Sequence, residues 1–243
     1  MSWETGAPAS LSADEIHVWR LRLIQSDPLV SALRPLLSAD EQVRADRFYF
    51  ERDRRSYTVV RGVLRRLLAG YLGCAPEAIA FGYRDKGKPY LVSPSGPLDF
   101  NVSHSGDYAL LAFTHGRQLG VDVELRRAID DLDGLAEVSF SPAELAVFRS
   151  LPADQRVEGF FACWSRKEAF IKATGEGVRQ LAEFDVSLRP GQPAQILAVR
   201  GPSAATAYTM YELPALDGHA AALVLADPPA APLIRCYAWT APA

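Results

Sequence analysis

The sequence predicts an α+β fold of two similar α+β halves, residues 1–117 and 118–243, related by a pseudo-twofold axis with a site in the cleft between them. Three observations predict it. Each half reads as a strand, then two helices, then short strands, a repeat of architecture with little residue identity. Strand-type alternation and helical spacing are both clear, the first at 16–23 and the second at 57–72. The 243 residues are 49% apolar and 23% charged, which supports a real core and excludes a disordered segment.

In order along the chain, Ile16 to Leu23 (IHVWRLRL) alternates as a half-buried strand does, with Ile16, Val18 and Leu21 or Leu23 facing inward. A Pro-broken segment follows. Ser38-Ala-Asp-Glu41 has capping-box spacing, so a helix starts there; apolar residues recur at helical intervals through Phe48 and again from Tyr57 to Leu72. The second of these two helices is long and basic, and Cys74-Ala-Pro76 ends it. Strand-like runs follow near Ile79–Tyr83, Pro89–Val92, Asp99–Val102 and Tyr108–Thr114. The second half opens with a strand at Leu119–Glu124, a helix from Ser141-Pro-Ala-Glu144 and a long helix around Phe160–Ala173. Strands are predicted near Phe184–Leu188, Gln195–Val199, Tyr208–Leu213, Ala220–Leu225 and Ile234–Trp239.

A net charge of −3 argues against wrapping nucleic acid, which usually needs a basic domain. The three cysteines, Cys74, Cys163 and Cys236, form no CxxC pair and follow no secretory leader, so a cytoplasmic, reducing location is expected. No stretch approaches the ~20 apolar residues of a membrane span. The Ala- and Pro-rich ends are expected to fray.

Chemistry concentrates in four places. In Gly120-Val-Asp122-Val-Glu124, residues two apart share one strand face, so two carboxylates stand side by side on an otherwise apolar strand. Unpaired, they would be costly to bury; a hard divalent cation such as Mg²⁺ resolves that cost, and pairing with Arg126 and Arg127 is the alternative. In Trp164-Ser-Arg-Lys167-Glu168-Ala-Phe-Ile-Lys172, Glu168 and Lys172 share a helix face at i,i+4, either as an ordinary ion pair or as part of a site; Gly175-Glu-Gly177 then allows close backbone approach. Asn101-Val-Ser103-His104-Ser105-Gly106 ends a strand with phosphate-holding donors, or is simply a turn. Asp85-Lys-Gly-Lys88-Pro89 is a basic turn, solvated or phosphate-contacting.

Together and in order, GKP, FNVSHSG, GVDVE and WSRKEAFIKATGEG resemble the Sfp-type 4'-phosphopantetheinyl transferases. The motifs span Lys86 to Gly177, and the element order extends the resemblance over nearly the whole chain. The resemblance implies a monomer that binds coenzyme A as co-substrate and Mg²⁺ (with Mn²⁺ as a substitute) in the inter-half cleft, and moves phosphopantetheine to a serine of an apo acyl or peptidyl carrier protein. It implies Asp122, Glu124 and Glu168 as metal ligands, Glu168 also as the base, and Lys172 on the attacked phosphate. Lys88, Ser103 and His104 match phosphate-holding positions; Arg44 and Arg61 are the first-half candidates near the adenine and 3'-phosphate, where Tyr57 replaces a small hydroxyl residue. Nucleic acid and membrane are not among the expected partners. Two rivals are a coenzyme- or carrier-binding module without catalysis and a different Mg²⁺-dependent phosphoryl enzyme. The first predicts a lost acidic residue, and all are present; the second would usually bring a P-loop, and no GxxxxGK[ST] occurs.

Overall fold

Strand Glu15–Arg22 (β2) is apolar on both faces, and that decides the layering. Ile16 and Val18 enter one core while Trp19, Leu21 and Leu23 enter another, so the strand is buried on both sides rather than half-buried. The structure, a computed structural model, describes residues 1–6, 10–177 and 180–241. In the first half β2 is followed by α1 (Asp27–Leu33), α2 (Ala39–Asp46), α3 (Glu51–Leu72), the hairpin β3 (Ala80–Tyr83) and β4 (Pro89–Ser93), and then β5 (Leu98–Ser105) and β6 (Tyr108–His115). The second half repeats this order with β7 (Leu119–Leu125), α4 (Leu132–Ser139), α5 (Pro142–Arg149), α6 (Arg156–Thr174), the hairpin β8 (Phe184–Val186) and β9 (Ile196–Val199), and then β10 (Tyr208–Glu212) and β11 (His219–Ala226). The short helices α1 and α4 are additions to the predicted pair in each half. Pro28 at the helix start, where a missing N–H costs nothing, explains why a Pro-broken segment is nonetheless helical.

Two sheets face each other. One has the order β1-β12-β2-β6-β5, with β1 at Glu4–Thr5 and β12 at Leu233–Ala238; the other has the order β10-β11-β7. The C-terminal strand β12 crosses back to pair in parallel with β2, and β1 pairs with β12, so the described part of the N-terminal end is tied down rather than frayed. Ile16, Val18, Leu110 and Ala112 of the first sheet meet Val121, Val123, Leu223 and Leu225 of the second in a shared core. The outer faces carry the long helices: α3 packs over Trp19 and Leu21, and α6 over Ala222 and Val224. The result is helix, sheet, sheet, helix, with edge strands β5 and β7 side by side at the cleft.

Candidate active site

Alternation along β7 sends Leu119, Val121 and Val123 into the inter-sheet core and turns Gly120, Asp122 and Glu124 toward α6. Gly120 sets the closeness: a Cβ there would lie 2.0 Å from the Ala169 carbonyl oxygen and 2.4 Å from the Ala173 nitrogen, so only glycine lets the helix backbone rest on this strand. Two turns of α6 consequently hang over the two carboxylates.

Asp122 is only 2% exposed. Its Oδ1 accepts hydrogen bonds from Ser103 Oγ and Lys172 Nζ, each at 2.7 Å, while Oδ2 is buried without a partner among the described residues. Burial pushes this carboxyl up to about 6 against the opposing pull of Lys172. Glu124 accepts from Ser105 Oγ at 2.8 Å and from the Trp164 indole N–H at 3.2 Å. Arg126 instead approaches Glu158 at 3.5 Å, which sets aside its pairing with the strand carboxylates.

Glu168 and Lys172 share a helix face as predicted, yet Lys172 reaches across to Asp122 instead of back to Glu168. Glu168 is half-buried, and burial together with neighbouring Glu124 raises its carboxyl while Lys172 lowers it. Gly175, left-handed at φ 75°, ends α6 by donating its N–H to Ile171 O. Lys88 is turned inward: its Nζ donates to Leu119 O at 3.0 Å and Lys172 O at 2.6 Å, and burial lowers it to about 8.

The motif around Ser103 is the seam between the halves. Asn101 Oδ1, Ser103 Oγ and Ser105 Oγ, two residues apart on one face of β5, accept the backbone N–H groups of Val121, Val123 and Leu125. Edge strand β7 thus has its N–H groups met by side chains of β5. Asn101 and Ser105 lie within the motif picked out from the sequence, but their role in meeting the backbone of β7 was not read there, although their period-two spacing was visible. Trp164 also reaches the site, through its indole N–H on Glu124. His104 points to the other face and is exposed; the protein around it and Lys172 lower its proton affinity.

The two first-half arginines sit apart from this cluster. Arg61 is buried, with Nη2 donating to Tyr83 Oη at 2.7 Å and its guanidinium against Phe81, Tyr57 and Tyr83. Arg44 is exposed and lies over the Tyr57 ring, whose buried hydroxyl has no partner among the described residues.

Asp122, Glu124 and Glu168 are the hard oxygen donors that Mg²⁺ prefers, and the orphaned Asp122 Oδ2 fits such a group. As the side chains are arranged, no group of three or more His, Cys, Asp or Glu residues among those described forms a metal cage. Ser103, Ser105, Trp164 and Lys172 take the carboxylates instead. A cleft of about 310 Å³ beside them is lined by Lys86, Lys88, Asn101, Glu168, Lys172 and Gly175. A second cavity of about 280 Å³, bounded by Arg126, Arg166 and Glu212, touches none of the predicted site residues.

The profile described as "4'-phosphopantetheinyl transferase superfamily" matches residues 118–224, and that described as "4'-phosphopantetheinyl transferase, N-terminal" matches residues 25–116. The chain is 42% identical over 220 residues to the 4'-phosphopantetheinyl transferase HetI of Nostoc sp., covering 89% of this chain and 90% of that protein. A 4'-phosphopantetheinyl transferase of Bacillus subtilis is 33% identical over 157 residues, 63% of this chain and 67% of that one. The L-aminoadipate-semialdehyde dehydrogenase-phosphopantetheinyl transferase of Xenopus laevis is 35% identical over 161 residues, 61% and 53% of the two chains. With its strand carboxylates beneath a long helix and both halves matched, this chain belongs to the 4'-phosphopantetheinyl transferase family and is a transferase.

Proposed function

We propose that this enzyme joins the 4'-phosphopantetheine of coenzyme A to a serine of an apo acyl or peptidyl carrier protein, releasing 3',5'-ADP. The observation that carries the reading is the convergence of Asp122, Glu124, Glu168 and Lys172 from β7 and α6 beside the Ser103 seam. The serine oxygen forms a bond to the β-phosphorus as the bond from that phosphorus to the bridging oxygen breaks, and the ADP phosphate leaves with the electron pair. Asp122, Glu124 and Glu168 would hold Mg²⁺, or Mn²⁺ in its place, which supplies neutralisation of the pyrophosphate charge.

Glu168 takes the serine proton, directly or through a water; a carboxylate that also holds Mg²⁺ has its proton affinity lowered, which favours the route through a water. Lys172 supplies positive charge to the phosphate under attack. Lys88, Ser103 and His104 orient the phosphates, and Arg44 and Arg61 serve the adenosine end. For Lys88 this leaves one N–H for a phosphate, since two are given to carbonyls. The same reading includes a monomeric protein, because one chain supplies both walls of the cleft. It also includes a cytoplasmic location and no nucleic-acid or membrane partner.

Intact-mass measurement of an apo carrier protein incubated with the enzyme, coenzyme A and Mg²⁺ tests the reaction. One added phosphopantetheine is expected, absent with a chelator and absent with Glu168→Ala. No gain on any of several carriers, despite coenzyme binding, would leave a binding module instead.

A further inference from the structure

The acidic strand carries a cation that belongs to the protein itself. Lys172 Nζ lies 2.7 Å from Asp122 Oδ1 and 2.9 Å from Ser103 Oγ, and among the described carboxylates Asp122 is its ion-pair partner. An ammonium at that distance occupies space and charge that a divalent ion would need, since like charges sharing one carboxylate repel. Several features make the contact exchangeable. The Lys172 side chain is 26% exposed and also lines the cleft, whereas the Asp122 side chain is buried. The main chain at 172 is pinned by Lys88 Nζ on its carbonyl, so the ammonium can swing on its four-carbon stem without disturbing α6. Asp122 would keep the Ser103 hydroxyl through the swing, and its second oxygen has no partner among the described residues.

We propose that Lys172 is the resident counter-ion of the acidic site and trades places with the divalent cation, leaving Asp122 when the coenzyme pyrophosphate offers it a new anion. The inference rests on the metal reading above and goes beyond it: metal and coenzyme are coupled through Lys172, in addition to any direct contact between them. Coupling of this kind is reciprocal, so the coenzyme tightens metal binding by the factor by which the metal tightens coenzyme binding.

The probe is Mn²⁺ alone, followed by paramagnetic resonance of the free ion, with and without coenzyme A, on the whole chain and on Lys172→Met and Lys172→Gln. Without coenzyme, both variants should bind Mn²⁺ at least tenfold more tightly than the parent chain, and the tightening produced by coenzyme A should shrink by a similar factor. Lys172→Gln keeps a hydrogen-bond donor without the charge, so agreement of the two variants assigns the effect to charge. Equal Mn²⁺ affinity of parent and variants without coenzyme overturns the exchange and leaves the metal site standing. No Mn²⁺ binding by the parent chain even with coenzyme A overturns the metal reading, and the exchange with it.

Discussion

In the first half, the capping-box residue Glu41 is buried under α3 and paired with Arg65 at 2.7 Å; in the second, Glu144 is buried under α6 and paired with Lys167 at 2.7 Å. Each cation also reaches the chain at the start of the following hairpin, Arg65 donating to Ile79 O at 2.8 Å and Lys167 to Phe184 O at 3.0 Å. One glutamate thus caps a helix start, neutralises the long helix and, through that cation, anchors a hairpin. The strands at the front of the two halves differ. β2 gives Trp19 and Leu21 to the helix above it, which keeps α3 a side chain away; β7 has Gly120 and two carboxylates, and α6 rests on its backbone. The scaffold is duplicated and the chemistry is not: three substitutable positions on one strand separate a packing surface from a charged one.

The sharpest break between the halves is in activity. Asp122→Ala is expected to keep the fold and lower transfer at least ~10³-fold, as loss of a charge-stabilising group does. Glu41→Ala, at a buried carboxylate of the first half, should leave the rate per folded molecule within about tenfold. Carrier-loading rates on samples checked by circular dichroism decide this, and a near-normal rate for Asp122→Ala removes that residue from the site.

Stability should treat the halves alike. Glu41→Ala leaves Arg65 buried and unpaired, and Glu144→Ala does the same to Lys167, so each is expected to cost about 3–5 kcal/mol in denaturant unfolding. A loss confined to one half would mean that the two supports only look equivalent.

The smallest expected effect is in pH. His17, 1% exposed on β2, is held at about 4 by burial. The Tyr71 hydroxyl accepts from Trp19 Nε1 and lies 2.8 Å from His17 Nδ1, a hydrogen bond that a neutral ring can make. An unfolded histidine titrates near 6.5, so the unfolded chain binds more protons between the two values and stability falls as pH drops through that window. At pH 5 the loss is about 2 kcal/mol, and His17→Gln should flatten the unfolding midpoint between pH 7.5 and 5 by that amount. Asp122 on β7 works in the opposite sense: its folded value of about 6 lies above the unfolded one, so its penalty fades on acidification. An unchanged slope in His17→Gln would show that acid acts on the molecule elsewhere.

Local pattern carried much of this. Period two in GVDVE put Asp122 and Glu124 on one face, i,i+4 spacing put Glu168 beside Lys172, and Ser38-x-x-Glu41 marked a helix start; each depends on residues within one element, where geometry is fixed by the backbone. Partners across elements were not legible. Whether Lys172 answers Glu168 four residues away or Asp122 fifty residues away is a contest of charges and distances that the helix alone does not settle. The same holds for Arg61, spacing alone leaving it free for a ligand while the fold encloses it among aromatic rings.

What the sequence by itself determined, then, is the set of elements, the faces they present and the family to which the motifs point, because alternation, capping and glycine placement act over a few residues. What only the tertiary structure decided is the strand β12 laid beside β2, the serine and asparagine seam that joins β5 to β7, and the cation already seated on Asp122. Those contacts link residues far apart in the chain, and burial, exclusion of water and competition among partners select them only once the sheets and helices have packed.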